Sequence, residues 1–273
     1  LAFVERVLER APGHQRGFVQ IPARQVGLQT GEQLFAHWRL VTNVSQTPDE
    51  IGLQVRALLA SRDLTLSSVT GTAIGSVVPS LTEPLAEACQ VLFGAPAVNV
   101  DARSPLPITL DVLEPLTVGA DRIVNTLAAS RRFQRDTIVV DLGTATTYDC
   151  ITADGVFLGG VIAPGLRTSA ETLFRRTSKL PATELRAPER AIGRRTEDCI
   201  RSGLIFGTAE AVDGIVRRIK AEWPTSRVPL VVATGGLAPL VQPHCREVER
   251  VEPDLTLVGL RLAYELIGSG RRA

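Results

Sequence analysis

Asp141, Gly143 and Thr144 stand together in Ile138 to Asp149, IVVDLGTATTYD, the stretch of the chain richest in groups able to do chemistry. A carboxylate at a strand end, followed at once by Gly-Thr-Ala-Thr-Thr, suits phosphate and cation chemistry. Glycine lets backbone N–H groups approach phosphate oxygens, threonine hydroxyls add donors, and the carboxylate holds a cation. A plain β-hairpin with a polar turn is the alternative reading of the same residues.

Four further groups deserve a chemical reading. Asp121 lies in Gly119-Ala120-Asp121-Arg122 at a predicted helix start. It complements the helix dipole there, or it serves as a general base with Arg122 beside it as an anion clamp; phosphoryl transfer asks a protein for little beyond positioning and electrostatics. Gly159-Gly160-Val161-Ile162-Ala163-Pro164-Gly165 is a glycine-bracketed strand end, marking either close approach of another backbone or ligand or a tight turn. Thr196 follows Gly193-Arg194-Arg195 and reads as the N-cap of a long helix, or as a hydroxyl that holds a substrate oxygen between two arginines. Gly235-Gly236 follows the apolar run Pro229 to Thr234, and a glycine pair at the C-terminal end of a strand in an open α/β sheet is where ligands settle. Cys89, Cys150, Cys199 and Cys245, like His14, His37 and His244, show no metal-ligand spacing and are assigned to packing or surface.

These groups need elements to position them. The spacing predicts a short amphipathic helix over Phe3 to Arg10, a weak strand in Gly17 to Arg24, and a strand over Gln33 to Val41. Thr47-Pro48-Asp49-Glu50 is a capping box with proline at the first helical position, opening a helix with Ile51, Val55, Leu58 and Leu59 on one face. A strand within Val69 to Val78 follows, then a helix capped by Ser80 and Glu83 through Phe93, and a strand over Ala97 to Val100. Beyond a proline-rich connection and the helix opened by Asp121, strands run through Ile138–Leu142, Thr146–Thr152 and Val156–Ile162. Helices are expected from Arg167 to Arg176, from Thr196 to Trp223 and from Thr256 to Ile267. Gly203 and Gly207, one turn apart, predict tight packing against another helix. The order of a strand triplet followed by α/β units occurs twice. An α/β chain of two lobes with a cleft between them is therefore expected, residues 1–118 and 119–273.

Composition bounds the rest. With 273 residues and 44% hydrophobic content, the chain can bury its cores without metal or disulfide staples. A net charge of +1 and 4% aromatic residues speak against a nucleic-acid partner. No apolar run is long enough to span a membrane, and unpaired cysteines suit a cytoplasmic protein. The chain starts with leucine and holds no methionine. GHQRGFVQIPARQ runs abruptly into VGLQTGEQLFAHWRL, so residues 1 to 24 are read either as the native start or as a shifted reading of the gene.

Taken in order, GADR, DLGTATTYD, GGVIAPG, TSKLP, GRRT before a long helix, and TGG resemble the type III pantothenate kinases; AHWRL and SVVPSLTEPL also fit, and the likeness runs from Val26 to Ile267. The resemblance implies the actin-like ATPase fold of two ribonuclease-H-like lobes and ATP-dependent phosphorylation of pantothenate, the first step towards coenzyme A. It makes Asp121 the proton acceptor, places Gly119, Ala120, Asp121, Arg122 and Thr196 at the substrate, and puts Gly143, Thr144, Gly235 and Gly236 at ATP. It assigns Asp141 to a monovalent cation, K+ or NH4+, adds Mg2+ with ATP, and implies a homodimer with GGVIAPG and the helix near Gly203 at or near the interface.

Two positions depart from the family pattern. The first phosphate loop, of Asp-x-Gly-Asn-Thr type, falls within Gly17 to Arg24, which reads GFVQIPAR with no acidic residue. An aromatic residue that faces pantothenate is replaced by Val112. A catalytically silent relative acting as a binding or regulatory protein is the alternative expectation. A sugar or acetate kinase fits the lobes but not the ordered motifs.

Overall fold

The structure is a computed structural model and describes residues 4–5, 26–30, 33–38, 40 and 43–270. In chain order the elements begin with Val4–Glu5 (β1), Val26–Thr30 (β2), Gln33–Trp38 (β3), Pro48–Ala60 (α1), Ala73–Ile74 (β4) and Pro79–Phe93 (α2). They continue with Val98–Asn99 (β5), Thr109–Leu110 (β6), Ala120–Phe133 (α3), Thr137–Leu142 (β7), Ala145–Ile151 (β8) and Val156–Pro164 (β9). Leu166–Arg176 (α4), Thr196–Ala221 (α5), Leu230–Thr234 (β10), Ala238–Val241 (α6), Arg250–Val251 (β11) and Leu255–Gly270 (α7) complete it.

Two compact units emerge, and neither is one stretch of chain. The first comprises Leu1–Ile108, Leu113–Ala128 and Thr256–Ala273; the second comprises Thr109–Val112 and Ala129–Leu255. A single break between residues 118 and 119 is not what the contacts give, because the C-terminal helix returns to the first unit. Tyr264 of α7 packs against that unit's core, and a Cβ on Gly71 would overlap its hydroxyl. Gly259 of α7 lies so close to α3 that a Cβ would overlap the Val124 carbonyl oxygen.

In the first unit, β1, β4 and β5 form one sheet and β2 and β3 a second. Val4 and Glu5 pair antiparallel with Ile74 and Ala73. This overturns the expected helix at those two residues, since their backbone groups find partners across the sheet rather than along a helix; the rest of that segment, and Gly17 to Arg24, lie outside the described residues. The Thr47 box forms as the sequence predicts: Thr47 Oγ1 accepts the Glu50 N–H at 3.3 Å and Glu50 Oε2 accepts the Thr47 N–H at 2.9 Å. Ile51, Val55 and Leu59 are buried against Leu28, Ile74, Leu81 and Leu85, each such side chain contributing about 1.5–3 kcal/mol. The Ser80–Glu83 box does not form. Pro79 takes the first helical position and Val78 is the N-cap, without a side-chain capping bond, which moves Ser80 inside the first turn. The strand predicted within Val69 to Val78 is β4, two residues long.

The second unit is built on a six-stranded mixed sheet in the order β11-β10-β7-β8-β9-β6. β7, β8 and β9 are antiparallel neighbours, whereas β10 runs parallel to both β7 and β11, and β6 runs parallel to β9. Ile138, Val140 and Leu142 of β7, with Val231 and Ala233 of β10, face Ile200, Leu204, Ile205, Val212 and Val216 of α5 in one core. Buried Asp136 fastens the start of β7 to two connections. Its carboxylate accepts hydrogen bonds from the Ala153 N–H at 2.9 Å, Trp223 Nε1 at 3.0 Å and Thr225 Oγ1 at 3.3 Å. Burial pushes its pKa up, but the bonds from Trp223, Ala153 and Thr225 and the charge of Arg227 outweigh that and hold it below the usual carboxylate range. Among the described residues, nothing packs on Gly203 or Gly207: a Cβ at either would meet no atom within 4 Å. The expected tight packing against another helix at that pair is therefore not made among the described residues of the chain. No described helix is long and apolar enough to cross a membrane.

Candidate active site

The chemistry predicted around Asp141 gathers at one end of the second unit's sheet. The apolar run Ile138–Val140 is buried on both faces as the middle of β7 and delivers Asp141, half-buried, to the strand's C-terminal end. Leu142 to Ala145 then reverses the chain into β8, with the Gly143 N–H donating to the Ala145 carbonyl at 3.0 Å. The β-hairpin reading and the loop reading thus describe one structure: a hairpin whose turn carries Gly143 and exposed Thr144.

Two glycines let other segments close on this turn. Gly235 follows β10 at φ +87°. A Cβ there would overlap Asp141 Oδ1 and lie 2.9 Å from the backbone N and C of Leu142, and only glycine takes that conformation without strain. Leu237, two residues on, donates its N–H to the Leu142 carbonyl at 3.2 Å. Gly165 supports the turn from the other side. A Cβ there would overlap the Thr144 carbonyl oxygen and lie 2.7 Å from the Gly143 oxygen. Gly143 itself has room, with Asp141 Oδ1 3.4 Å from its ideal Cβ. Thr168 Oγ1 donates to the Thr144 carbonyl at 2.7 Å and holds the turn in place.

Asp141, Gly143, Thr144 and Gly235 are therefore brought into one neighbourhood, with Gly236 next in the chain. Gly165 and Thr168 belong to it as well, and sequence reasoning did not assign them. The signal was the last glycine of GGVIAPG, whose partner is 21 residues upstream. Thr234 is the other unassigned member. It pairs in register with Asp141 and is 0% exposed, and its hydroxyl has no hydrogen-bond partner among the described residues.

Thr196 is placed differently. It is exposed at the first position of α5; Arg195 is the N-cap and makes no side-chain capping bond. The N-cap reading of Thr196 is thus corrected by one residue, because Gly193 sits against the helix backbone and fixes where the turn begins. A Cβ on Gly193 would lie 2.5 Å from the Cys199 nitrogen. Residues 186–195 and the first turn of α5 surround a cavity of about 890 Å3 lined by five arginines, Arg194 and Arg195 among them, against three acids. Arg201 is engaged there by Glu197 at 3.6 Å and Asp198 at 3.4 Å. None of the Asp141 neighbours lines this cavity.

Gly119 to Arg122 belong to the first unit. Asp121 is in the first turn of α3, and its Oδ1 accepts the Arg122 N–H at 2.8 Å. A Cβ on Gly119 would stand 2.6 Å from that Oδ1 and 3.0 Å from Val77 Cγ1, so the glycine lets the carboxylate fold back over the helix start. The geometry serves helix capping and leaves the second carboxylate oxygen for other work. Val112 lies over Gly159, with Cγ1 3.6 Å from the ideal Cβ position there. The Cys245 thiol is pushed up to about 12 by burial and by the charges of Asp213 and Glu210, which removes it as a nucleophile.

Known proteins resemble this chain over most of its length. A family model for type III pantothenate kinase matches residues 23–218. The type III pantothenate kinase of Thermomicrobium roseum is 45% identical over 240 residues, covering 88% of this chain and 92% of the relative. That of Moorella thermoacetica is 41% identical over 242 residues, covering 88% and 94%. Among solved structures, the activator of the 2-hydroxyisocaproyl-CoA dehydratase from Clostridium difficile with bound ADPNP superposes with a TM-score of 0.56 at 11% identity, covering 100% of this chain and 97% of that one. A Campylobacter jejuni protein described as of a Baf family of transcriptional activators gives 0.54 at 15% identity, covering 91% and 96%. These likenesses concern the fold alone, the mixed α/β fold of the actin-like ATPases. The sequence likeness goes further: the chain belongs to the type III pantothenate kinase family.

Proposed function

We propose that this chain transfers the γ-phosphoryl group of ATP to the hydroxyl of pantothenate, its family's reaction in coenzyme A biosynthesis, and that the turn after Asp141 holds the nucleotide phosphates. The observation that carries this assignment of parts is the close approach of Gly235 and Gly165 to that turn, which leaves no room for a side chain between the segments. Gly143, Thr144, Gly235 and Gly236 contact ATP. Asp121 accepts the proton of the pantothenate hydroxyl as its oxygen bonds to the γ-phosphorus and the bond to the ADP oxygen breaks. Gly119, Ala120, Arg122 and Thr196 position the substrate. Mg2+ accompanies the nucleotide.

The residues around Asp141 fit a monovalent cation, K+ or NH4+. One half-buried carboxylate stands among hydroxyl and carbonyl oxygens, a donor set for a hard ion, and no described cluster of three His, Cys, Asp or Glu side chains offers a transition-metal site. Bound there, the cation supplies positive charge beside the phosphate oxygens. The exposed glycines of α5, against which nothing described packs, support a homodimer joined through that helix; a cytoplasmic location suits cysteines that form no disulfide.

Pantothenate-dependent release of ADP, followed in potassium and in sodium buffers of equal ionic strength, tests the reading. Release that is faster with potassium is expected; equal rates in both would sink the cation assignment. The segment GFVQIPAR supports a second reading, a silent relative that binds rather than catalyses, because Pro22 has no N–H to offer a phosphate. No release in either salt, restored on replacing residues 18–24 by an Asp-x-Gly-Asn-Thr loop, would favour it.

A further inference from the structure

Thr234 presents an unusual group beside Asp141. Its side chain is 0% exposed, and its Oγ1 has no hydrogen-bond partner among the described residues. Burying a hydroxyl without a partner is unfavourable, and native structures seldom leave one so unless water or an ion completes it. Position narrows what that partner is. β10 and β7 run parallel with Thr234 opposite Asp141, Ala233 opposite Val140 and Val231 opposite Ile138. Val140, Ile138, Ala233 and Val231 all face the α5 core. Since side chains alternate along a strand, Thr234 and Asp141 share the other face as direct neighbours. Gly235, the next residue, has no side chain to cover the Asp141 carboxylate.

We propose that the Thr234 hydroxyl is a second oxygen ligand, beside Asp141, for the monovalent cation at this end of the sheet. The proposal rests on the cation reading given above. A hydroxyl oxygen offers lone pairs to a hard cation, and one fixed by burial arrives already oriented. Thr146 provides an internal contrast. Its hydroxyl is also buried and without a partner among the described residues, but Thr146 pairs with Leu142, whose side chain is in the α5 core. It therefore stands on the face opposite Asp141 and cannot join the same ion.

The test is the potassium dependence of thermal unfolding in the presence of ADP and Mg2+, at constant ionic strength with sodium as the balancing ion. Wild type is expected to be stabilised as potassium replaces sodium. Thr234→Val, isosteric and without the oxygen, should need about 10- to 100-fold more potassium for the same effect, the usual range for losing a supporting group at a metal site. Thr234→Ser should restore the response, and Thr146→Val should keep it. In sodium alone Thr234→Val should melt no lower than wild type, because it removes an unpaired polar group; a merely structural hydrogen bond would lower melting in both salts. An unchanged potassium response in Thr234→Val, with wild type responsive, overturns the role of Thr234 while leaving the cation at Asp141. No potassium response in wild type overturns both.

Discussion

Gly235→Ala puts the architecture of the Asp141 turn to its hardest test. The glycine sits at φ +87°, where a non-glycine residue is disfavoured by about 1–3 kcal/mol. The added methyl would overlap Asp141 Oδ1 and approach the Leu142 N and C atoms to 2.9 Å, inside the 3.4 Å at which ordinary contact begins. The carboxylate can swing aside, but the two Leu142 atoms are backbone in a central strand, so the β10 end must retreat. Overpacking of this kind costs about 1–3 kcal/mol more. A loss of roughly 2–6 kcal/mol leaves most domains folded, so the variant should be purifiable with a lower denaturant midpoint. Activity should fall further than stability. A reacting group displaced by about 1 Å loses on the order of 100-fold in rate, and the methyl displaces Asp141 and the phosphate turn together. Urea unfolding and ADP release with pantothenate measure the two effects. Gly214→Ala is the matched control: its Cβ would meet nothing within 4 Å, and alanine in a helix gains about 0.5–1 kcal/mol over glycine. A Gly235→Ala protein with a parental midpoint and turnover within about threefold of the parent, roughly 0.65 kcal/mol, would refute the packing argument.

Three other outcomes follow from named contacts. Asp121→Asn should keep the fold, because an amide oxygen can still accept the 2.8 Å bond from the Arg122 N–H, while turnover drops by roughly two to four orders of magnitude, as for a lost general base; parental turnover would return Asp121 to helix capping. Asp136→Asn should lower stability near neutral pH by about 1–3 kcal/mol, since one oxygen that accepts from Trp223 and Thr225 or from Ala153 becomes a donor. Because Asp136 is held below its ordinary 3.8, its contribution is whole above that value and is lost as pH falls through the folded pKa; denaturation midpoints across the acid range should therefore fall less steeply in the variant, and parallel curves would count against it. Gly203→Leu, filling open space on α5, should keep the fold as seen by circular dichroism but shift the mass seen by light scattering toward the monomer, and an unaltered mass would remove that helix from the proposed dimer contact.

The sequence by itself determined whatever depends on neighbours in the chain. The Thr47 box and Pro48 mark the start of α1 because capping involves residues three apart. Ile138 to Val140 and Leu230 to Thr234 are recognisable as buried strands because a β-branched run has few other uses. The ordered motifs carried the family, since their order along the chain is itself a sequence property. Two-residue strands such as β6 and β11 carry no such pattern; only pairing with β9 and β10 makes them strands. The helix start at Pro79 rather than Ser80 turned on which residue first took helical geometry, and two local signals competed there.

Tertiary structure alone decided what meets at the Asp141 turn. Gly165 and Gly235 lie in segments already marked for a ligand or a close approach, but only the sheet shows that they close on Thr144 and Asp141. Thr234 reads as the polar end of an apolar run until its register beside Asp141 leaves its hydroxyl buried. The division into units belongs to the same class. α7 is an amphipathic helix on any reading of its residues, but its membership of the first unit follows from Gly259 against Val124 and Tyr264 against Gly71. Those contacts span more than a hundred residues. Periodicity shows that a helix has an apolar face, whereas the surface that receives it is set by packing across the whole chain.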